Sequence, residues 1–571
     1  MKKFDQRSQA SIAWGLLILV IVLYAVEMSH QVVLRYDTFK ATAFDLGNMD
    51  QVLWNTIHGR LFQFTNQAID WYGPPTRLAF HFEPIILPLS LLYIFHADPR
   101  ILLIFQTLAL ASGALPVFLL TRRYLREWPI LAALMAMAYL LSPALLGVNI
   151  FDFHPVALAT PLLLYAVLAL TYKRYVWFLI ACVLAAACKE DVPLTIAAFG
   201  ILVIWKYKLP RLGITLMIGG VLWSFLAFKV IMPHFYPGVQ ANNFWYRYEA
   251  LGSSPGAAIA NILVHPWILF TTFFTLDRLY YMAGLVRSVG FLPLLAPEWL
   301  LPILPGLAIN LLSTDPLLYS GVYQYNATII PFIMIAAIHG TRRLILFWQG
   351  WQHKELHDIV NGDTNGIVGA GLAPALPPIL RPTLHFIARY KTLVLVQTGH
   401  LIAWLQPRIL RLTLPKWRNE QWRRFSERMA PIAKNVSVFR LQWIVFAWIT
   451  VMIGLNFWLA VPQLSTFWAD HDPGSREKHI QQLLAMIPPG ASVSAGANLN
   501  PHLSERQLLA VFPSVCIDSA CNHTVEYVIV DLNSLTTENR AQAASVLNAL
   551  SRQFRVVARA EGVVLLIRRS T

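Results

Sequence analysis

The apolar positions of this chain fall in long runs, not in the alternation of a half-buried strand or the single stripe of a surface helix. About 20 apolar residues carry a helix across a bilayer. Runs near 10–28, 99–121, 129–147, 212–232, 280–297, 299–312, 326–340 and 441–461 read as crossings. Polar clusters between 152 and 211 imply three more, so the pattern predicts an α-helical polytopic membrane protein with about eleven transmembrane helices. The first run follows Lys2, Lys3 and Arg7 as a signal peptide would, yet no small-residue cleavage site succeeds it. It reads as an uncleaved span.

Charge orients these spans. Arg122, Arg123 and Arg126, then Lys173 and Arg174, then Lys206, Lys208 and Arg211, then Arg342 and Arg343 all fall on one side of the alternation, which the positive-inside rule makes cytoplasmic. The N-terminus is then cytoplasmic and the C-terminus extracytoplasmic. Outside lie a large first loop, 29–98, and an aromatic loop, 233–266, containing Phe244, Trp245, Tyr246, Arg247 and Tyr248. Within the first loop, 84–95 is apolar but too short to cross and is expected to lie in the outer interface.

Four segments follow. Residues 1–342 form the transmembrane domain, 343–438 a basic cytoplasmic segment with an apolar stretch at 392–405, 439–463 the last span, and 464–571 a small α/β domain. For that last domain the pattern predicts strands at 492–495 and 527–532, helices at 501–509 and 538–554, and a hairpin at 556–567 turning at Glu561-Gly562.

Composition agrees: 56% hydrophobic and 13% charged residues, with a mean hydropathy of +0.52, exclude an ordinary soluble protein. A net charge of +15 could suggest nucleic acid, but residues 341–440 alone hold 15 Lys and Arg against 5 Asp and Glu. That concentration reads as attraction to anionic lipid, worth about 1 kcal/mol per basic residue near the surface. Of four cysteines, Cys182 and Cys188 lie in an apolar run and read as packing, whereas Cys516 and Cys521 could be oxidised outside the cell.

The polar residues that could do chemistry gather on the outer side. Asp45 and Asp50 sit in Phe44-Asp45-Leu46-Gly47-Asn48-Met49-Asp50. On a helix they would point about 140° apart, so one can face a site while the other anchors the loop. His81-Phe82-Glu83-Pro84 opens the short apolar helix, where Glu83 would also suit a cap. Asp152-Phe153-His154-Pro155 and Lys189-Glu190-Asp191 each sit where a span emerges, and caps or internal ion pairs are the bland alternative. Asp45, His81, Glu83, Asp152 and His154 would together suit a divalent cation, but their spacing matches no tight ligand motif. No phosphate-binding glycine loop or nucleophile elbow is present.

These clusters, with Leu53-Trp54-Asn55, Leu295-Ala296-Pro297-Glu298 and Pro501-His502-Leu503-Ser504, resemble a widespread family of uncharacterised prokaryotic polytopic membrane proteins, a domain of unknown function. That family is grouped with the GT-C-type glycosyltransferases, which take sugar from a polyprenyl-phosphate donor. The likeness covers nearly the whole chain and implies a prokaryotic inner-membrane enzyme. Its partners would be a lipid-linked sugar donor and the bilayer, with no nucleic acid. By the same likeness Asp45 matches the acidic residue after the first span and implies an inverting general base, with Asp50 the second choice. Lys189, His154 and His81 are the cations that could meet the departing phosphate, and Glu83, Asp152, Glu190 and Asp191 complete the substrate-binding set. Gln324-Tyr325-Asn326 departs from the His-Tyr pair expected there. Burial near lipid is expected to raise the pKa of a catalytic carboxylate. A transporter or lipid-handling protein, or a non-catalytic envelope assembly protein, would use the same shape differently.

Overall fold

The computed structural model describes residues 6–66, 75–236, 244–360, 438–469, 471–516 and 524–569. The chain divides into two compact units, 1–343 with 444–571, and 344–443. The basic stretch from 361 to 437, with its apolar segment 392–405, lies outside the described residues.

Helix α1 (Gln6–Asp37) leads through a π-helical turn, Ala43–Gly47, into α2 (Asn48–Ile57); α3 (Ile86–Phe95) and the long α4 (Pro99–Tyr124) follow. Arg100 at the start of α4 pairs with Asp37 at 2.7 Å, while Phe118 near its end lies 4.7 Å from the Trp14 ring. The two helices are therefore antiparallel. After them come α5 (Pro129–Leu140), α6 (Pro143–Ile150), α7 (Ala159–Thr171), α8 (Tyr175–Ala186), α9 (Val192–Tyr207) and α10 (Pro210–Phe235). Further on are α11 (Pro255–Val264), α12 (Trp267–Phe273), α13 (Leu276–Arg287), α14 (Leu304–Leu311), α15 (Ile330–Val360) and α16 (Val438–Leu464).

Among the described residues five helices are long and apolar enough to cross a membrane: α1, α4, α10, Ile330–Gln349 of α15 and Arg440–Leu464 of α16. The α5–α6 pair, bent by 46° where Pro143 interrupts it, makes a sixth if counted as one span. The expected eleven are not reached by this measure. Three of the shorter apolar helices, Pro155–Thr171, Tyr175–Ala186 and Val192–Tyr207, have 10–17 residues each. The two spans expected between 280 and 312 are instead α13, two 3-10 turns at Leu292–Leu295 and Pro297–Ile303, and α14. Pro293, Pro297, Pro302 and Pro305 each remove a backbone donor there, which breaks a continuous helix.

The C-terminal lobe holds α17 (Ser475–Ala485), α18 (Thr537–Leu550) and five strands: β1 (Val493–Ala495), β2 (Leu509–Val511), β3 (Tyr527–Asp531), β4 (Phe554–Ala560) and β5 (Val563–Arg568). The sheet order is β2-β1-β3-β5-β4, with β1 parallel to β2 and β3, and β5 antiparallel to β3 and β4. One face packs on Ile480 and Leu483 of α17, the other on Ala543 and Leu550 of α18. The hairpin turns at Glu561-Gly562 as expected, but the helix expected over 501–509 does not form. That segment is a 3-10 turn, Asn500–His502, followed by chain leading into β2. Its polar groups are drawn into tertiary bonds instead: buried Arg506 donates to the carbonyls of Leu503 and Ala491 at 2.5 and 2.8 Å.

The lobe and the first loop are packed together. Phe39 is buried in the lobe core, and His502 stacks 4.0 Å from the Tyr36 ring at the end of α1. Ala43 donates its backbone N–H to the Ala497 carbonyl at 2.9 Å. Asn66 and Asn500, both fully buried, exchange side-chain hydrogen bonds, and Asn66 also donates to the Ala43 carbonyl at 3.2 Å. Gly47 fits only because it lacks a side chain: a Cβ there would lie 2.6 Å from Asn500 Oδ1. The π-turn carrying Asp45 is thus clamped at both ends.

Candidate functional site

A cavity of about 1060 Å³ opens beside this turn. Seven of the nine expected site residues line it: Asp45, His81, Glu83, His154, Lys189, Glu190 and Asp191. They come from four separate stretches of chain, joined at the end of the helix bundle where α1 finishes.

The Asp45 carboxylate meets His154 Nε2 at 3.0 Å and accepts from the Thr42 hydroxyl at 3.4 Å. Burial alone would raise its pKa, but His154, the Arg77 guanidinium and Thr42 outweigh it and hold the carboxyl below the usual aspartate range. This reverses the expectation of a raised pKa, which took account of burial and not of these partners. His154 Nδ1, on the far side of the ring from Asp45, is buried without a hydrogen-bond partner.

The other charges pair locally. Arg77, which no sequence motif singled out, binds Glu83 through Nε at 2.7 Å, so Glu83 is an ion-pair partner and caps no helix with its side chain. His81 Nδ1 lies 2.8 Å from Glu190, which also accepts from the Phe82 N–H at 3.1 Å. Burial would raise the Glu190 pKa, yet His81 and Lys189 pull it down to about 2. Lys189 reaches Asp191 at 3.3 Å. Burial disfavours its charge, but Asp191 and Glu190 more than restore it, so Lys189 stays cationic. Arg247 pairs with Asp315 at 3.1 Å and lies 4.9 Å from the Phe244 ring centre.

Asp50 and Asp152 stand elsewhere. Asp50 is fully buried and accepts from the Tyr93 hydroxyl and, at 2.5 Å, from Ser504 of the lobe. Burial and the nearby Glu505 charge push its pKa well up. Asp152, 1% exposed, lies behind Asp45, pairs with Arg35 at 3.3 Å and accepts from the Thr42 N–H at 3.1 Å. Its φ of 47° is uncommon for a residue with a side chain, and the chain turns there just before His154.

The cavity also has an aliphatic lining, with Leu194, Ile259, Ile262, Pro305, Ile309 and Leu312. Ile259 belongs to α11, and that helix with α12 exposes Leu263, Val264, Trp267 and Phe270 at 58–76%. A row of large apolar side chains left exposed marks a face suited to lipid. Aromatic side chains, among them Trp245, Tyr323 and Tyr325, also line the cavity. Sequence reading noticed this aromatic loop but assigned no site role to its Arg247. Among the described residues no group of three or more His, Cys, Asp or Glu is placed to hold a metal ion; the acids and histidines are taken up in separate pairs.

The model of a family described as "Predicted membrane protein (DUF2079)" matches residues 35–362 and 414–565. The chain matches no curated protein. Among solved structures it is similar to ArnT from Cupriavidus metallidurans bound to undecaprenyl phosphate, at 14% identity and a TM-score of 0.43, over 96% of this chain and 97% of that one. It is also similar to the Archaeoglobus fulgidus oligosaccharyltransferase in the apo form, at 12% identity and a TM-score of 0.43, over 97% and 73%. AglB from Archaeoglobus fulgidus, in complex with an inhibitory peptide and a dolichol-phosphate, gives 12%, 0.41, 95% and 72%.

Proposed function

The chain belongs to the DUF2079 family of predicted membrane proteins, and we propose that it is a membrane glycosyltransferase moving a sugar from a polyprenyl-phosphate donor to an acceptor on the extracytoplasmic side. The observation that carries this reading is one cavity lined both by Asp45, Lys189 and Arg247 and by a set of aliphatic side chains. A lipid-linked phosphate sugar is likewise mixed: an anionic head and a hydrocarbon tail. The exposed apolar face of α11 and α12 supports entry of the tail from the bilayer.

In the proposed step the acceptor hydroxyl gives its proton to Asp45, its oxygen bonds to the anomeric carbon, and the bond from that carbon to the phosphate oxygen breaks. The electron pair leaves on the phosphate and the configuration inverts. The lowered pKa keeps Asp45 ionised and ready to accept, while making it a weak base. Proton transfer then completes late, after bond formation has acidified the hydroxyl. Lys189 and Arg247 offset the charge growing on phosphate. Both are already paired with carboxylates, so donor binding must displace or share those partners.

Two measurements test this. Polyprenyl phosphate added to the purified full chain should raise its melting temperature; no shift overturns the donor. In a deletion strain, wild type should restore a sugar-sized mass addition in the envelope while Asp45→Asn, present at equal level, should not. Full restoration by Asp45→Asn would sink the base assignment and return the protein to the assembly role.

A further inference from the structure

The opposite end of the bundle carries a second, smaller cavity of about 360 Å³ between α1, α4 and α7. Trp14 to Arg35 spans 21 residues of α1, about 32 Å of helix, so this cavity lies a bilayer's hydrocarbon thickness from the Asp45 site. Arg122, Arg123 and Arg126 line it with Trp14, Leu119 and Tyr172. At this end Glu298 takes both Lys206 and Arg343. Among the described residues the three arginines have no carboxylate partner. Arg122 Nη1 is buried and makes no hydrogen bond, and a buried cationic donor left unmet is costly. Aromatic rings hold the guanidinium groups in place: Arg122 lies 6.0 Å from the Phe118 ring and Arg123 5.7 Å from that of Tyr172. Trp14 and Tyr172 are themselves 40% and 48% exposed, as residues of an interfacial belt are.

We propose that this cavity binds the phosphate headgroup of an anionic glycerophospholipid from the leaflet at that end. Guanidinium groups match phosphate oxygens in planar, paired geometry. Tryptophan, tyrosine and leucine beside them suit the glycerol and the first acyl carbons, which a free anion does not have. The site shares no residue with the Asp45 cavity and stands whatever that cavity does.

The test uses the full chain in detergent, with native mass spectrometry counting retained lipid. Phosphatidylglycerol should be retained as one tightly held molecule over phosphatidylcholine, and Arg122→Gln with Arg123→Gln should weaken it about tenfold, while Asp45→Asn should not change it. Equal retention by the double variant overturns the proposal, as does equal competition by inorganic phosphate, which would make this a free-anion site. Should the double variant fail to fold, Arg126→Gln at the exposed rim decides: weaker retention by about threefold supports the site and unchanged retention overturns it.

Discussion

Asp45 and Asp50 lie five residues apart on one short segment, yet they belong to two regions built on opposite terms. At the seam between the first loop and the lobe the polar side chains close on one another: Asp50 with Tyr93 and Ser504, Asn66 with Asn500, and Gln51 with Thr65 and the Arg506 carbonyl. On the cavity wall the charges also pair, but the closure is incomplete. Asn48 Oδ1, His154 Nδ1, Asp191 Oδ1 and Gln324 Oε1 are buried on cavity-lining residues without any hydrogen-bond partner. Complete satisfaction is how buried polar groups stabilise a fold, and unmatched ones are where a fold can give up stability for something else; four of the ten unmatched buried side-chain atoms among the described residues lie on this wall. The same residue types therefore close a packed seam at Asp50 and face a cavity at Asp45.

The sharpest way to break this comparison is to neutralise each acid in turn. Asp45→Asn should lower sugar transfer by about 10²–10⁴-fold, the range for losing a general base, with thermal stability near that of wild type. Asp50→Ala should do the reverse. It strands the buried Tyr93 hydroxyl at about 1–3 kcal/mol and leaves Ser504 only the Pro501 carbonyl, and should lower the melting temperature while donor binding survives in the fraction that remains folded. Equal losses of stability in both variants would erase the distinction between the two regions.

Next in size is the amide pair. Asn500→Leu leaves the fully buried Asn66 amide without its partner, at a cost of about 1–3 kcal/mol. Because Asn66 also holds the Ala43 carbonyl, hydrogen exchange should rise across residues 43–66 ahead of the rest of the first loop. Protection unchanged there would show that the lobe does not fix the π-turn.

This layering explains what was legible in the sequence. The apolar runs gave α1, α4, α10 and α16 because a spanning helix writes itself in local composition. They overstated the region 280–312, where four prolines break up a stretch that is apolar on average. The polar clusters could be seen because charge is conspicuous among apolar residues. What each one touches could not, since Arg77, Arg35 and Ser504 reach their acids from remote or unremarkable positions. The separation of Asp45 from Asp50 followed from helical geometry. Which of the two faces a cavity depends on Ser504 and Tyr93, 454 and 43 residues away. The same holds for the Asp45 pKa: burial was anticipated from the membrane setting, whereas His154 approaches from 109 residues along the chain.

The smallest expected effect is a slope in place of a loss, and it sharpens the seam further. Glu505 sits beside Ser504 with Asp98 and Asp50 near it and Arg506 next in sequence. Burial, then the Asp98 charge, raise its pKa to about 7 against the opposing pull of Arg506. A carboxyl whose folded pKa lies above its unfolded value of about 4.5 binds more protons folded than unfolded between those limits. Its contribution to stability is therefore full below pH 4.5 and is lost as pH rises through 7, the opposite direction from an ion-paired acid such as Asp45. Asp50 adds a slope of the same sign, starting lower, at about 3.8. His502, held down to about 3 by burial, adds a slope of the opposite sign below pH 6.5, so the difference is what is read: between pH 5 and 7 the melting temperature of the full chain in detergent should fall more, or rise less, for the wild type than for Glu505→Gln, which carries no titrating group at that position. An identical profile in that variant would mean that the charge on Glu505 is solvated outside the seam, leaving Asp50 and His502 to set its pH response.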